Sequence, residues 1–148
     1  MSSESQQPVF QIQRLYLKNL SLEQPNSPAI FLERDPMRFN ILLENGSEAL
    51  EEGFCETTVK VTVTASIGDK TAFVLECQQA GIFELRDIPE EELGPLLGIV
   101  CPGILYPYLR ANVADAISRA GFAPLHLAEV DFATMYRERE NSSEKKAA

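Results

Sequence analysis

Thr57 to Leu85, TTVKVTVTASIGDKTAFVLECQQAGIFEL, is the stretch whose reading decides the fold. Val59, Val61, Val63 and Ala65 alternate with Lys60, Thr62 and Thr64, the period of two that gives a strand one apolar and one wet face. Gly68, Asp69 and Lys70 supply turn residues and a second β-rich run begins at Thr71, so the stretch reads as a hairpin. On the return strand Phe73, Leu75 and Cys77 share one face, and Ala72, Val74, Glu76 and Gln78 share the other. Apolar residues on both faces imply that another chain or a partner covers part of the hairpin, with Val74 outward beside Glu76.

Working outward, residues 1–8 are small and polar and read as a disordered lead-in, with order starting near Val9. In FQIQRLYLKNLSLE the apolar parity switches twice: Phe10 and Ile12, then Leu15 and Leu17, then Leu20 and Leu22. Bulges produce such switches, because one extra residue sends every later side chain to the opposite face. Glu23 to Pro36 is a proline-rich loop whose apolar centre, Ile30 to Leu32, must pack on something. Phe39, Ile41 and Leu43 mark another strand, which Asn45-Gly46 is expected to end, and Ser47 to Gly53 reads as an acidic connector. Four strands in succession with turn-sized links predict an antiparallel sheet.

After Leu85 the period becomes helical. Asp87 is expected to cap a helix starting near Pro89, with Glu90, Glu91 and Glu92 at the positive end of its dipole. Leu93, Leu96, Leu97 and Val100 continue to a break at Pro102-Gly103, and a second stripe runs from Leu105 to Ala120, with Gly121 as C-cap. The small residues Ala111, Ala114, Ala116 and Ala120 permit another helix to approach closely, either in the core or between subunits. Val130 to Glu140 reads as a last amphipathic helix, and 141–148 as a flexible polar tail. The fold class is therefore α+β: a four-stranded antiparallel sheet with a long helix and a C-terminal helix, in one domain over 9–140.

A net charge of −9 disfavours a nucleic-acid backbone as ligand and favours basic partners. No run approaches the roughly 18 apolar residues of a membrane span, and MSSESQQP lacks the features of a signal peptide, so a cytoplasmic protein without direct membrane insertion is expected. Cys55, Cys77 and Cys101 form no C-x-x-C pair and read as reduced and buried. His126, the single histidine, lies between leucines with no acid or nucleophile pattern around it. Gly94-x-x-x-Gly98 is a helix feature, and no phosphate loop, nucleophile elbow or metal spacing occurs, so no catalytic, cofactor or metal residues are selected. What the chain does offer is apolar surface. Phe31, Phe39, Ile41, Leu43, Phe132, Met135 and Tyr136 would line a groove for extended apolar segments if the loop and last helix flank the sheet; an ordinary core is the alternative.

The chain resembles the SecB family of bacterial protein-export chaperones over Phe10 to Tyr136. The resemblance rests on FQIQRLYLKNLSLEQPNSP, VTVTASIGDKTAFVLECQQAGIF, CPGILYPYLR and LHLAEVDF. It implies helices on one face of the sheet, a homotetramer built as a dimer of dimers, and no enzymatic activity. It further implies an ATP-independent holdase that keeps unfolded preproteins in grooves and passes them to the motor SecA. By the same resemblance Asn19, Glu23, Val74 and Glu76 fall on the motor-docking face. Leu75, Cys77 and Gln79 fall where subunit association is sensitive, the helix from Gly103 at the inner subunit contact, and the tail after Asn141 at a second motor contact. The chain departs from the family at Asn19, often aspartate, at Asp35, often tryptophan, and at Glu129 and Asp131, usually proline and asparagine. Its short tail carries Lys145 and Lys146. Two further readings stand beside this one: a SecB-like chaperone dedicated to one client, of toxin–antitoxin type, and a small α+β enzyme or carrier with a closed apolar pocket.

Overall fold

The computed structural model describes residues 7–147, with side chains to Ser142. Most of the expected disordered lead-in and the last residue of the tail lie outside the described residues. Four strands, β1 (Val9–Glu23), β2 (Met37–Ala49), β3 (Phe54–Ile67) and β4 (Lys70–Arg86), form one antiparallel sheet in the order β1-β4-β3-β2. β3 and β4 are the hairpin, joined at Gly68 and Asp69. Ala65, Val63 and Val61 of β3 sit opposite Phe73, Leu75 and Cys77 of β4 on a fully buried face.

β1 pairs with β4 with register shifts between Ile12 and Arg14 and between Leu17 and Asn19. Gln13 and Lys18 are thus the extra residues. They turn three runs of opposite parity into one face, since Phe10, Ile12, Leu15, Leu17, Leu20 and Leu22 oppose Leu85, Phe83, Gly81, Gln79, Cys77 and Leu75.

Asn45-Gly46 does not end β2. Gly46 pairs with Thr58 and the strand runs on to Ala49, because an unbroken ladder to β3 holds both residues extended. The turn falls four residues later, where Gly53 takes φ 87° and the Phe54 N–H donates to the Glu51 carbonyl at 2.9 Å. Ser47 to Ala49 accordingly belong to the strand rather than to an acidic connector.

The helical rod begins with α1 (Glu90–Pro95), passes through a π-helical turn (Leu96–Val100) and continues as α2 (Cys101–Arg119). Asp87 is not its cap: with φ 55° it makes the preceding turn, and Pro89 holds the N-cap position without a side-chain bond. Nor does Pro102-Gly103 break the rod. The π turn shifts the hydrogen-bond ladder just upstream, and Pro102 enters α2 in its first turn, where a missing N–H costs little. Pro107 also sits inside α2, which continues through it to Arg119. Joined in this way, Glu90–Arg119 is long and apolar enough, by length and composition alone, to cross a membrane, which the sequence did not suggest. Its fully buried stripe, Leu105, Leu109, Val113 and Ile117, lies on β3 and β4. Val100, expected in the stripe, is exposed.

α2 ends at Ala120-Gly121, where Gly121 takes φ 97° and its N–H donates to the Ser118 carbonyl at 3.1 Å. A crossing strap, residues 122–131, leads to α3 (Phe132–Ala147), which carries helix past Glu140 into the segment expected to be a flexible tail.

Candidate functional site

The edge strand β2 faces the helix layer with Phe39, Ile41 and Leu43, paired with Ala65, Val63 and Val61. The helices do not reach this edge fully: Phe39 and Ile41 remain 40% and 46% exposed. The strap stands above them and encloses a trough of about 160 Å³, lined by Ile41, Leu43, Val61, Tyr106, Leu127, Ala128, Glu129 and Val130. Two contacts fix the strap. The Tyr106 hydroxyl donates to the Ala128 carbonyl at 2.5 Å, and Arg110 Nη1 donates to Glu129 Oε1 at 2.9 Å while its guanidinium lies 6.0 Å from the Tyr106 ring centre.

Asp131 then starts α3. Its Oδ1 accepts from the Thr134 N–H at 3.1 Å and its Oδ2 from the Thr134 hydroxyl at 2.7 Å, and these bonds hold its carboxyl below the usual range. Asp131 thus caps α3.

Ile41 and Leu43 line the trough, and Phe39 extends its floor along the strand. Phe31, 47% exposed, stacks on Phe122 at 5.0 Å, and Phe122 packs on Phe73 at 5.2 Å. Phe73 shares a cross-strand row with Ala65 and Phe39, so this aromatic ladder belongs to the Phe39 end of the floor. Phe132 is not open lining. It is only 5% exposed, with its ring edge-on to Tyr106 at 5.6 Å, because the first turn of α3 is what ties that helix to the core. Met135 packs partly buried against the same core, and the Tyr136 ring occupies the notch left by Gly94 and Gly98. α3 therefore acts as a wall. Tyr106, Leu127, Ala128 and Val130 were not selected from the sequence, because a short irregular strap has no period and Tyr106 is hidden in a helix stripe.

On the other face of the sheet Glu23 pairs with Val74, Ser21 with Glu76 and Asn19 with Gln78, so Asn19, Glu23, Val74 and Glu76 form one contiguous patch. Val74 is 37% exposed, and Glu76 Oε1 meets Lys60 Nζ at 3.0 Å. Beside the patch the Glu56 carboxylate, nearly buried, takes hydrogen bonds from Lys18 Nζ at 2.8 and 3.0 Å and from the Tyr16 hydroxyl. Burial works against its charge, but these donors outweigh it and its carboxyl titrates below the usual value; burial and the same carboxylate push Tyr16 up to about 12.

Leu75, Cys77 and Gln79 present no surface to a second chain. They lie beneath α2, Gln79 Oε1 accepts from Asn112 Nδ2 at 2.9 Å, and burial pushes the Cys77 thiol up to about 11. Any influence they have on association runs through the placement of α2. Cys55 and Cys101 are likewise free and buried.

An open apolar trough beside an edge strand, with a separate polar face behind it, gives the protein two distinct candidate binding surfaces. The sequence profile described as preprotein translocase subunit SecB matches residues 3–143, and the chain belongs to the SecB family. It is 61% identical over 139 residues to the protein-export protein SecB of Herminiimonas arsenicoxydans, covering 94% of this chain and 85% of that one. To the protein-export protein SecB of Janthinobacterium sp. (strain Marseille) it is 60% identical with the same coverage. Among solved structures, the Mycobacterium tuberculosis Rv1957 SecB-like chaperone in complex with a ChAD peptide from Rv1956 HigA1 antitoxin shares the fold, with a TM-score of 0.66 at 19% identity. That likeness covers 82% of this chain and 91% of that one. The chain is accordingly a Sec protein-export chaperone and not an enzyme.

Proposed function

We propose that this chaperone holds unfolded preproteins in the trough floored by Phe39, Ile41 and Leu43 and hands them, in the cytoplasm, to the SecA motor through Asn19, Glu23, Val74 and Glu76. The observation that carries the reading is the exposed apolar floor of β2 beneath a strap fixed by Tyr106 and Arg110. Apolar burial, at roughly 25 cal/mol per Å², would supply most of the affinity for client, with the acidic surface aiding capture of basic segments. The reading includes a dimer of dimers. The outward side of α2 supports it, with Val100, Pro107, Tyr108 and Ala111 all exposed, an apolar stripe that a second copy would cover.

Light scattering of the purified protein, alone and with several unrelated unfolded proteins, tests this function. A mass near four chains that shifts to one complex with unfolded but not native client is expected. A response to a single client among many would instead favour the dedicated chaperone, and a monomer indifferent to unfolded chains would sink the proposal.

A further inference from the structure

Two of the three buried thiols meet under the π-helical turn. Cys55 and Thr57 share the parity of Val59 and Val61, so all four point from β3 to the helix side of the sheet. The Thr57 hydroxyl, 2.8 Å from that of Ser47, is the polar group beside the Cys101 thiol at the start of α2. Leu97, four residues before Cys101 and on the same side of the rod, lines one cavity with Cys55. A helical turn advances about 5.4 Å and two strand residues about 7 Å, so rod and strand keep step, Leu97 over Cys55 and Cys101 over Thr57. The two thiols are close enough for the charge of one to act on the other. Cys77 stands apart, opposite Val61 and six residues along β3 from Cys55. The shared cavity, about 400 Å³, opens at the β2–β3 turn between Leu50, Phe54, Leu85 and Leu97, with the exposed Glu51 and Glu52 at its open side. It reaches Cys55, which is 7% exposed, whereas Cys101 is fully enclosed behind it.

We infer that Cys55 and Cys101 are a peroxide-sensitive pair, which closes to a reversible disulfide and ties the π-helical turn to β3. The Cys55 thiolate attacks one oxygen of hydrogen peroxide, the O–O bond breaks, and the departing hydroxide takes up the thiol proton as water, leaving a sulfenic acid. The Cys101 sulfur then displaces the sulfenic hydroxyl, which leaves with the Cys101 proton as a second water. Two thiols are oxidised, one peroxide is reduced, and the product is neutral, as an apolar core requires. Burial raises both thiols above their ordinary value, Cys101 to about 12, so the pair rests protonated and reduced and responds to sustained oxidant. The cavity also selects the oxidant. Small neutral peroxide enters an apolar lining, whereas glutathione disulfide is bulky and anionic and meets Glu51 and Glu52. The bond would act on the segment Leu96–Val100, whose Gly98 seats the Tyr136 ring, so oxidation fixes the place where α3 is held. The inference is independent of where client or motor binds.

The test treats the reduced full chain with hydrogen peroxide or with glutathione disulfide and reads intact mass, free thiols, peptide maps and amide hydrogen exchange. Peroxide should lower the thiol count from three to one, with the Cys55 peptide joined to the Cys101 peptide and dithiothreitol restoring both. Exchange of residues 96–100 should slow about tenfold or more in the oxidised form. Cys77→Ser should leave the link unchanged, and Cys55→Ser should abolish it while Cys101 stays a thiol. Glutathione disulfide should add no mass. Oxygen gained at Cys55 with no link, a link joining Cys101 to its copy in a second chain, or three thiols surviving peroxide in the folded protein would each overturn the pair. A link that leaves exchange at 96–100 unchanged would overturn the tie to the π turn, and a glutathione adduct on Cys55 would overturn the selection by the cavity.

Discussion

Glu56 meets Tyr16 and Lys18 on the outer face of the sheet, with little access to water of its own. Its folded carboxyl titrates below that of the unfolded chain, so its stabilisation is complete above the unfolded pKa of about 4.3 and is lost as pH falls through the folded value. Replacing Glu56→Gln should cost about 1–2 kcal/mol at neutral pH, kept modest because Lys18 is itself partly in water. Urea unfolding of both proteins from pH 7 downward checks this: the gap should be full at pH 7 and shrink as pH falls below the unfolded value and through the lower folded one. A gap that does not change with pH down to full protonation would mean that charge is not what Glu56 contributes. Residue chemistry of this kind was illegible in the sequence. Nothing near Glu56 in the chain marks it out, and its partners come from β1, some forty residues earlier.

At the scale of elements, alternation in β3 and β4 was legible because each strand shows its own period, and the parity switches of β1 announced bulges before any partner was known. The expected breaks at Asn45-Gly46 and Pro102-Gly103 were wrong for a shared reason. Turn and breaker residues state what the backbone prefers alone, whereas an uninterrupted ladder in one case and a π turn in the other decide what it does. The seat of α3 shows how such details become energies. A Cβ on Gly98 would overlap the Tyr136 ring, so Gly98→Ala should destabilise the protein by about 1–3 kcal/mol through overpacking, despite the better helix propensity of alanine. Combining it with Tyr136→Ala should restore much of the loss, because the clash needs both partners. Thermal unfolding of the four-member cycle reads this, and simple additivity would refute the contact.

For the whole molecule, the sheet separates two kinds of attraction by its thickness. The helix side of β2 is apolar, and the patch at Glu23, Val74 and Glu76 is charged, with Glu23 and Val74 exposed and Glu76 half-buried. Raising salt shortens the reach of charge to a few ångströms while leaving apolar burial intact. On the proposed docking of the motor at this patch, its release should occur at salt concentrations that leave client bound, as followed by sedimentation of the ternary mixture. Equal loss of both would contradict the division. On the same proposal Asn19→Asp, which adds a negative charge to the patch, should make the motor contact more salt-sensitive.

The two surplus residues of β1 also decide how the chain tolerates changes in its length. Shortening a strand by one position normally inverts everything beyond the cut. At Gln13 it would do the reverse, since Ile12, Arg14 and Leu15 already stand in the alternation that a shortened strand needs. A chain lacking Gln13 should fold with near-native stability, whereas one lacking Tyr16 should not. Removing Lys18 should keep the alignment but strand Glu56 without its cation. The strand that borders this sheet is therefore the place where descendants of the sequence can lose a residue and keep their shape.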